Sequence, residues 1–355
     1  MTDGHAAPPP VGFRSELPPS QQPAGLPPNG EVDSTQMADE SVSPIQKRPC
    51  WAWKSDSFSF SEHCRFVPPE VLSSFAAMPQ GSEHPRGSHS SPSGETQRRV
   101  RHLITHLRQQ GLEAPPGYVI LRGLQNVPNR DWRTIYAGLS RSLGEVQPQN
   151  ATGMEIREVR DRGTRIAEGS ASRYSDSRFG GSMHTDGAEC PLPVPDFFSL
   201  LCVQQAAEGG VFQMVSAASV RDRLIAIAPD LEQTLHQPFH FDRRGDPGPG
   251  GVPTAIKPIL FWDRGGIATT YLREYVDAGH SHPGSPPLSD VQRRALDALD
   301  TILADTSLIV GGLLAPGDML FVNNKRILHS RTTFKDGSGP TEHRLLLRMW
   351  LRRES

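Results

Sequence analysis

Cysteine is scarce in this 355-residue chain, which carries Cys50, Cys64, Cys190 and Cys202. The four residues are widely scattered and form no Cys-x-x-Cys pair. The sequence therefore argues against a disulfide scaffold and against a cysteine-ligated zinc site. A reducing, intracellular setting fits this cysteine content best.

Long apolar runs are also missing. No stretch of about 18 or more consecutive apolar residues occurs, so we predict no membrane-spanning helix. The amino terminus, MTDGHAAPPPVGFRSELPPS, lacks the apolar core of a signal peptide. From these two absences we predict a soluble, cytoplasmic protein.

A large charge of one sign is absent as well. The chain has 37 basic and 39 acidic residues, for a formal net charge of -2. Because the overall field is weak, the composition does not suggest nucleic acid or an anionic membrane as a partner. We expect a small-molecule substrate, and the sequence leaves a homo-oligomer open.

The amino-terminal part of the chain differs from the rest in amino-acid composition. Residues 1–48 are dominated by Pro, Gly, Ser and Gln, which predicts a disordered tail. Residues 49–95 contain two segments. The first is apolar enough to dock as a short ordered segment, and the second is a linker-like run rich in Ser, Gly and Pro. The folded domain is predicted to span residues 96–355.

Within that domain, periodic apolar positions predict helices and strands. A helix begins near residue 96 and stops at Gly111, Asp131 caps a helix through Leu143, and Ser289 opens another. A few helices and many strands predict a β-sandwich or barrel with helices packed outside it. The predicted strands are 117–124, 196–204, 254–262, 318–323 and 344–351, and the two later helices are 219–228 and 290–304.

The sequence contains two His-x-Asp pairs that could each bind a metal ion. Residues two positions apart on a strand point to the same face of the sheet, so His184 and Asp186 could bind one cation together. Roughly one such pair is expected by chance. Flanking glycines, including Gly187, favour the first pair because backbone can approach closely there. We assign the second pair, His240 and Asp242, to an ordinary strand.

A third ligand could come from His329, far along the chain. Two histidines and one carboxylate leave open positions on a metal ion, as in non-haem Fe(II) oxygenases. A zinc hydrolase could use the same ligands, and that alternative stays open. Standing alone, His329 would more simply be a polar residue on an exposed hairpin.

Two arginines near the carboxyl terminus, Arg344 and Arg348, share one face of a predicted strand, roughly 13 Å apart. Leu345, Leu347 and Met349 face the other way. Burying a guanidinium inside a barrel is unfavourable unless an anion binds it. Its planar group of N–H donors can bind a carboxylate through two hydrogen bonds. The alternative is a solvated basic strand or a nucleic-acid face.

Taken in order, these motifs resemble the TauD/TfdA superfamily of Fe(II)/2-oxoglutarate dioxygenases, and within it the clavaminate synthase-like branch. The resemblance spans residues 98–355. The matching segments are HTDG at 184–187, Glu208-Gly209-Gly210, PGDMLFVNNKRILHSRTTF at 316–334, and Arg344-x3-Arg348-x-Trp350.

The resemblance implies an α+β fold with a double-stranded β-helix, or jelly roll, and flanking helices. It implies Fe(II) held by His184, Asp186 and His329, with O2 and 2-oxoglutarate as cosubstrates. Arg344 would hold the distal carboxylate of 2-oxoglutarate, and Arg348 would lie near the cosubstrate or an anionic group of the substrate. Asn323 and Asn324 are expected to have structural roles.

One feature departs from the family pattern. Relatives often carry Thr or Ser two residues after the Gly-Gly pair to contact 2-oxoglutarate, whereas Phe212 stands here. Gln213 is a candidate substitute. Halogenating relatives replace the carboxylate ligand with a small residue, so the presence of Asp186 favours hydroxylation.

We therefore expect an oxygenase that hydroxylates an unactivated C–H of a small amino-acid-like or specialised metabolite and releases succinate and CO2. Desaturation or ring closure is an alternative outcome of the same chemistry. A non-catalytic binding or regulatory module that keeps the jelly roll is the alternative from another class. Loops at 151–182 and 240–288 are expected to cover the pocket.

Overall fold

A computed structural model describes residues 50–76, 94–165, 173–246, 249–339 and 342–353. The predicted tail at 1–48 and most of the predicted linker lie outside these residues. The helices are α1 Pro69–Ala76, α2 Gly94–His106, α3 Asn129–Leu143, α4 Ala217–Ile227, α5 Pro229–Leu235, α6 Arg273–Ser281 and α7 Asp290–Leu303.

The strands lie mainly in the middle and at the end of the chain. They are β1 Cys64–Phe66, β2 Tyr118–Arg122, β3 Glu145–Gln147, β4 Arg157–Val159, β5 Phe197–Gln204, β6 Glu208–Gly209, β7 Phe212–Ser216, β8 Phe239–Asp242, β9 Thr254–Lys257, β10 Leu260–Asp263, β11 Gly266–Thr269, β12 Val310–Gly312, β13 Met319–Asn323, β14 Ile327–Arg331, β15 Phe334–Lys335 and β16 Leu345–Arg352.

Several local predictions were wrong. Asp131 does not cap α3, because the helix begins at Asn129 with Pro128 at its N-cap and Asp131 lies in its first turn. Residues 254–262 form two strands, β9 and β10, because Pro258 between them has no N–H to continue a ladder. Gly111 does not stop the first predicted helix, which continues from α2 into a π-helical turn over Leu107–Leu112. Gly111 instead allows close packing, since a Cβ there would lie 3.3 Å from the Val119 side chain.

Two sheets of the described chain face each other across an apolar core. The larger sheet has the strand order β1-β2-β13-β5-β16-β3, with β4 paired to β16. The smaller sheet has the order β12-β7-β14. Apolar side chains from both sheets form one buried cluster, so the sheets pack face to face. This cluster includes Tyr118, Phe198, Phe212, Met214 and Trp350.

Helices cover the outer side of the larger sheet. The helix α3 buries one face against β5, β13 and β16, as its amphipathic pattern predicts. The hydroxyl of Tyr136 on α3 lies 2.8 Å from Oγ of Ser199 on β5, which satisfies a polar group inside this layer. The helices α4, α5 and α7 pack into a separate cluster beside the sheets.

The segment before α1 docks on the sheets rather than standing apart. Strand β1 pairs in parallel with β2, and Phe60 stacks on Tyr118 with ring centroids 5.7 Å apart. Trp53 is buried, and its backbone N–H donates to Oγ of Ser219 at 2.8 Å. None of the helices in the described ranges is long and apolar enough to cross a membrane.

Candidate metal centre

Backbone pairing brings His184 and His329 together, although 144 positions separate them in the chain. His329 lies on β14, and the two residues exchange N–H···O bonds of 2.9 and 2.8 Å. Their ring centroids are 4.5 Å apart. The pairing is an isolated bridge rather than a strand, so His184 reaches the site from a loop and not from the predicted strand end.

Asp186 reaches the same site through a turn that Asn324 holds. The Asn324 side chain accepts from the backbone N–H of Asp186 at 2.8 Å and donates to its carbonyl at 2.9 Å. It also donates to the carbonyl of Pro195 at 2.9 Å. Gly187 follows with a φ of 71°, where the left-handed backbone favours glycine. The structural role expected for Asn324 therefore has a physical basis.

The three predicted ligands converge. One ligand atom each from His184, Asp186 and His329 lies within 4.8 Å of the other two. Among the residues that the structure describes, no other group of histidine, cysteine, aspartate and glutamate side chains meets this criterion. Two imidazoles and one carboxylate on one side of a cation are the donor set of a non-haem Fe(II) site.

Unsatisfied polar atoms support a cation at this position. Oδ2 of Asp186 is buried with no hydrogen-bond partner in the described structure, which is costly for a carboxylate unless a cation meets it. Nδ1 of His184 lies 2.9 Å from the carbonyl of Ser182, so its other ring nitrogen is left for a metal. The residues present therefore fit a divalent cation.

Burial keeps both imidazoles in the form that binds metal. It lowers the pKa of His184, against the opposing effect of Asp186. It lowers the pKa of His329 further, and the neighbouring His184 adds to that effect. A histidine must be neutral to donate its lone pair to a metal, so the site is prepared for a cation at neutral pH.

The second His-x-Asp pair lies on β8, as predicted, and has other partners. Nδ1 of His240 lies 3.2 Å from Oγ1 of Thr254, and Oδ2 of Asp242 lies 2.5 Å from Nε2 of His282. Both side chains are therefore used in contacts between β8, β9 and the segment after α6. This pair serves packing, and the first pair serves the candidate centre.

Both predicted arginines are buried, but they have different partners. Nη1 of Arg348 donates to Oδ1 of Asp186 at 2.6 Å, and its Nε donates to Gln149 at 2.9 Å. Arg344 precedes β16; its Nε donates to Gln205 at 3.2 Å, and its Nη1 is buried without a partner in the described chain. Burial lowers the pKa of Arg344 to about 10. The alternative of a solvated basic strand is therefore wrong.

The strand β16 also presents its other side chains as predicted. Leu347 and Met349 lie in the cluster under α3, and Leu345 packs against it. Leu346 and Trp350 lie in the cluster between the sheets. Arg348 falls between these two and so faces the same side.

Phe212 and Gln213 on β7 lie on opposite faces of the strand. Phe212 is buried, with its ring centroid 5.5 Å from that of His329. Gln213 points the other way, and its Oε1 accepts from Oγ of Ser330 at 3.3 Å. Gln213 is therefore not placed beside the candidate metal ligands, and this position does not favour it as a substitute for the missing Thr or Ser.

A cavity beside the three candidate metal ligands contains residues that the sequence analysis missed. Arg173, Glu189 and Tyr275 line it together with Asp186 and Arg348. Glu189 lies only three positions after Asp186, and that proximity was the one available signal. Arg173 and Tyr275 come from distant segments and carry no motif of their own.

Comparison with known proteins identifies the family. Residues 94–350 match the family described as "Taurine catabolism dioxygenase TauD, TfdA family". The chain belongs to the TauD/TfdA family. As a member of it, the protein is an Fe(II)- and 2-oxoglutarate-dependent dioxygenase, in agreement with the motif-based resemblance.

Individual relatives are more distant. FR-33289 synthase of Streptomyces rubellomurinus is 28% identical over 262 residues, which are 72% of this chain and 75% of that protein. The taurine hydroxylase-like protein SAT17 of Stachybotrys chartarum is 27% identical over 68% of this chain and 63% of its own length. A uridine-5'-phosphate dioxygenase of Amycolatopsis is 27% identical over 45% of this chain and 57% of its own length.

Solved structures share the fold at low sequence identity. An asparagine oxygenase in complex with Fe(II), 2S,3S-3-hydroxyasparagine and succinate matches with a TM-score of 0.57 and 17% identity, over 82% of this chain and 93% of that chain. The non-heme iron oxygenase OrfP in complex with Fe and alpha-ketoglutaric acid matches with a TM-score of 0.56 and 19% identity, over 82% and 94%. These likenesses concern the fold alone.

Proposed function

We propose that this dioxygenase hydroxylates an unactivated C–H of a small, amino-acid-like or specialised metabolite, with release of succinate and CO2. Its Fe(II) would be held by His184, Asp186 and His329. The observation that carries this assignment is the convergence of their ligand atoms to within 4.8 Å, with one oxygen of Asp186 buried and unpaired.

We further propose that the two facing sheets are the halves of a double-stranded β-helix, formed within residues 96–355. Antiparallel pairing of β13 with β5 and of β14 with β7 supports this assignment. So does the position of His329 on the smaller sheet, whose side chains meet those of the larger sheet in one core.

The chain's own residues would orient and shield the reaction. When bound, iron with 2-oxoglutarate and O2 supplies the oxidising chemistry. Arg348 fixes one oxygen of Asp186, which leaves the other oxygen for the metal. The rings of Phe198 and Phe212, centred 4.3 and 5.5 Å from that of His329, exclude water from one side of the site.

Arg344 is the residue we assign to the distal carboxylate of 2-oxoglutarate. Its guanidinium is buried, and its Nη1 has no acceptor among the described residues. A buried cation of this kind is unfavourable unless an anion meets it, and the planar fork of arginine matches a carboxylate. Close backbone approach at Gly210, where a Cβ would lie 3.2 Å from Nε of Arg344, leaves room for the side chain.

The substrate class is inferred from the site and from the relatives. Arg348 lies beside the metal ligands and could meet a carboxylate or a similar group. Fold neighbours were solved with 3-hydroxyasparagine and with (3S)-hydroxy-L-Arg, which supports an amino-acid-like substrate. We also propose a cytoplasmic location. Because the net charge is small, we propose that the enzyme acts on small molecules and not on nucleic acid or membranes.

Anaerobic addition of Fe(II) and 2-oxoglutarate tests the metal assignment. We expect a weak metal-to-ligand absorption band that Asp186→Ala removes. Asp242→Ala, in the second His-x-Asp pair, is the matched control and should keep the band. Absence of the band from the wild type, together with unchanged iron binding in Asp186→Ala, would disprove the assignment.

Succinate release with a panel of candidate substrates tests the activity. Turnover restricted to neutral lipids or to sulfonates would rule out the amino-acid-like class. Product mass separates hydroxylation, which adds one oxygen atom, from desaturation or ring closure, which each remove two hydrogen atoms. Nucleic-acid binding that does not depend on Fe(II) or 2-oxoglutarate, with no succinate release, would instead favour a non-catalytic module.

A further inference from the structure

The cavity beside the metal ligands contains a buried ion pair that the metal does not need. Nη1 of Arg173 donates to Oε1 of Glu189, and both side chains are largely shielded from solvent. Burial raises the pKa of Glu189, but Arg173, a backbone hydrogen bond, Arg348 and Lys257 together outweigh it, so the pKa is lowered and the carboxylate is charged. Burying such a pair costs desolvation energy, and its stabilising value is small.

Several hydrogen-bond donors around this cavity lack an acceptor. In the described chain no acceptor binds Nε or Nη2 of Arg173, Nη2 of Arg348 or the hydroxyl of Tyr275. The indole N–H of Trp350, which also lines the cavity, is buried without a partner. A buried donor such as the Trp350 N–H is unfavourable without an acceptor, and two guanidinium groups line the same cavity, so the cavity fits a ligand rich in oxygen lone pairs.

The charges of the cavity favour an anionic ligand as well. Arg173 and Arg348 balance Asp186 and Glu189 when no cation is present. A divalent cation on Asp186 outweighs the single negative charge that the keto-acid end of 2-oxoglutarate adds there. An excess of positive charge therefore remains, and an anionic substrate group would neutralise it.

We propose that Arg173 is a specificity-determining residue that binds an oxyanion of the substrate opposite Arg348, while Glu189 orients its guanidinium. This inference rests on the proposed function, because it concerns the substrate of the same site. The shared chemistry is an oxyanion, supplied by a carboxylate, a sulfonate or a phosphate-type group. Two guanidinium groups that face one cavity from separate segments fit such a group better than a neutral one.

A purely structural ion pair predicts a different pattern of mutant effects. If the pair only supports the fold, Arg173→Gln and Glu189→Gln each break it and should weaken ligand binding alike. If Arg173 binds the oxyanion, Arg173→Gln leaves Glu189 to repel the ligand. Glu189→Gln keeps an oxygen that can accept from Nη1 of Arg173 but removes a competing negative charge, so it should retain or tighten binding. The sign of the Glu189→Gln effect therefore separates the two explanations.

The test is calorimetric titration of acetate, sulfate and phosphate into the full chain loaded anaerobically with Fe(II) and 2-oxoglutarate. The cosubstrate occupies the Arg344 site, so the probe anions report on the cavity, and the three probes distinguish carboxylate from sulfonate-type and phosphate-type recognition. We expect at least one anion to bind, and Arg173→Gln to weaken it by about tenfold or more. Binding by none of them, or equal weakening by both single variants, would overturn the proposal.

Two further variants keep the result independent of folding. In Arg173→Gln/Glu189→Gln no unpaired charge is left, so we expect near wild-type stability with anion affinity still low. Arg221→Gln is the matched control, because the Arg221–Glu232 pair, 2.7 Å apart, lies outside the cavity. If Fe(II) and 2-oxoglutarate do not bind at all, the proposed function fails. If both bind but no probe anion does, the proposed anion site alone fails.

Discussion

Nη1 of Arg348 lies 2.6 Å from Oδ1 of Asp186, while Oδ2 of the same carboxylate is buried without a partner. One carboxylate oxygen thus accepts a hydrogen bond from Arg348, and the other is available to bind a cation. Gln149 fixes the guanidinium in turn, since it accepts from Nε at 2.9 Å and donates to the Arg348 carbonyl at 2.8 Å. The orientation of the ligand therefore depends on a chain of contacts across β16.

Arg348→Lys should weaken Fe(II) binding by about tenfold. Lysine keeps the positive charge, but its single ammonium lacks the rigid fork that reaches Gln149 and Asp186 together. The change therefore tests orientation rather than charge. Anaerobic titration of Fe(II) measures it, with Arg141→Lys at the surface pair with Glu155 as control. Equal affinity in wild type and Arg348→Lys would show that the contact does not orient the ligand.

Asn324→Ala should impair both the fold and the metal site. It removes the acceptor for the Asp186 N–H and the donor for the carbonyls of Asp186 and Pro195, all buried. Orphaned buried groups of this kind cost about 1 to 3 kcal/mol each. We expect a lower free energy of unfolding in denaturant and weaker Fe(II) binding. Asn150→Ala in an exposed turn is the control, and an equal loss there would refute a specific role.

Arg344→Gln should raise KM for 2-oxoglutarate by about a hundredfold, because a charge-assisted bidentate contact is worth roughly 2 to 3 kcal/mol. The substrate KM should change far less, since Arg344 is not among the residues lining the cavity beside the ligands. Succinate release at varied 2-oxoglutarate measures the effect. Arg122→Gln, at the pair with Asp318, is the control. Parallel increases in both KM values would argue against a cosubstrate role.

Phe212→Thr restores the hydroxyl that relatives often carry near this position, yet it should be harmful here. Phe212 is 5% exposed and packs among Phe60, Phe198 and His329. Loss of the ring should cost about 3 to 5 kcal/mol through the cavity that it leaves. Denaturant unfolding measures the loss, and Phe212→Leu should be milder. A lower KM for 2-oxoglutarate in Phe212→Thr, without loss of stability, would contradict this account.

The three candidate metal ligands could be recognised in the sequence because their chemistry leaves a short, specific pattern. His184 and Asp186 stand two positions apart beside glycine, and His329 follows a turn into a strand. The residues that position these ligands were harder to identify from the sequence. Asn324 was expected to be structural, but its bonds to the Asp186 turn depend on tertiary packing. Pairing of β14 with a loop at His184 is likewise a long-range contact with no local sequence signal.

Helices and strands could be predicted where local periodicity and capping agree with the tertiary environment. The capping box at Ser289 begins α7 where the sequence indicates. Local rules failed at Gly111, because contact with Val119 rather than helix termination determines that glycine. They also missed Arg173 and Glu189, since an ion pair between a loop and a turn becomes visible only in the folded chain.

Lys257 is a buried base that holds the turn after Asp186. Its Nζ donates to the carbonyls of Ala188 and Cys190, and its ammonium lies 4.4 Å from the centre of the Phe241 ring. Burial lowers its pKa to about 8, although Cys190 and Glu189 act to raise it, while Arg243 lowers it further. In an unfolded chain the same amine would keep its proton to a much higher pH.

The pH dependence of stability follows from that difference. Below pH 8 the amine is protonated in both states and contributes no slope. Between about 8 and 10.5 the unfolded state binds more protons than the folded state, so the contribution of Lys257 to stability rises with pH. The slope is at most about 1.4 kcal/mol per pH unit. Lys257→Met should be less stable at pH 7 by about 1 to 3 kcal/mol, because two carbonyls lose their donor.

The gap between wild type and Lys257→Met should therefore widen as pH rises from 8 toward 10.5. Urea unfolding at several pH values measures it. Lys335→Met, at an exposed position, controls for the loss of one amine. Because Lys257 holds the turn that carries Asp186, Fe(II) affinity of Lys257→Met at pH 7 should also fall. A gap that stays constant with pH would mean that the amine keeps its proton in the folded protein, held by the two carbonyls.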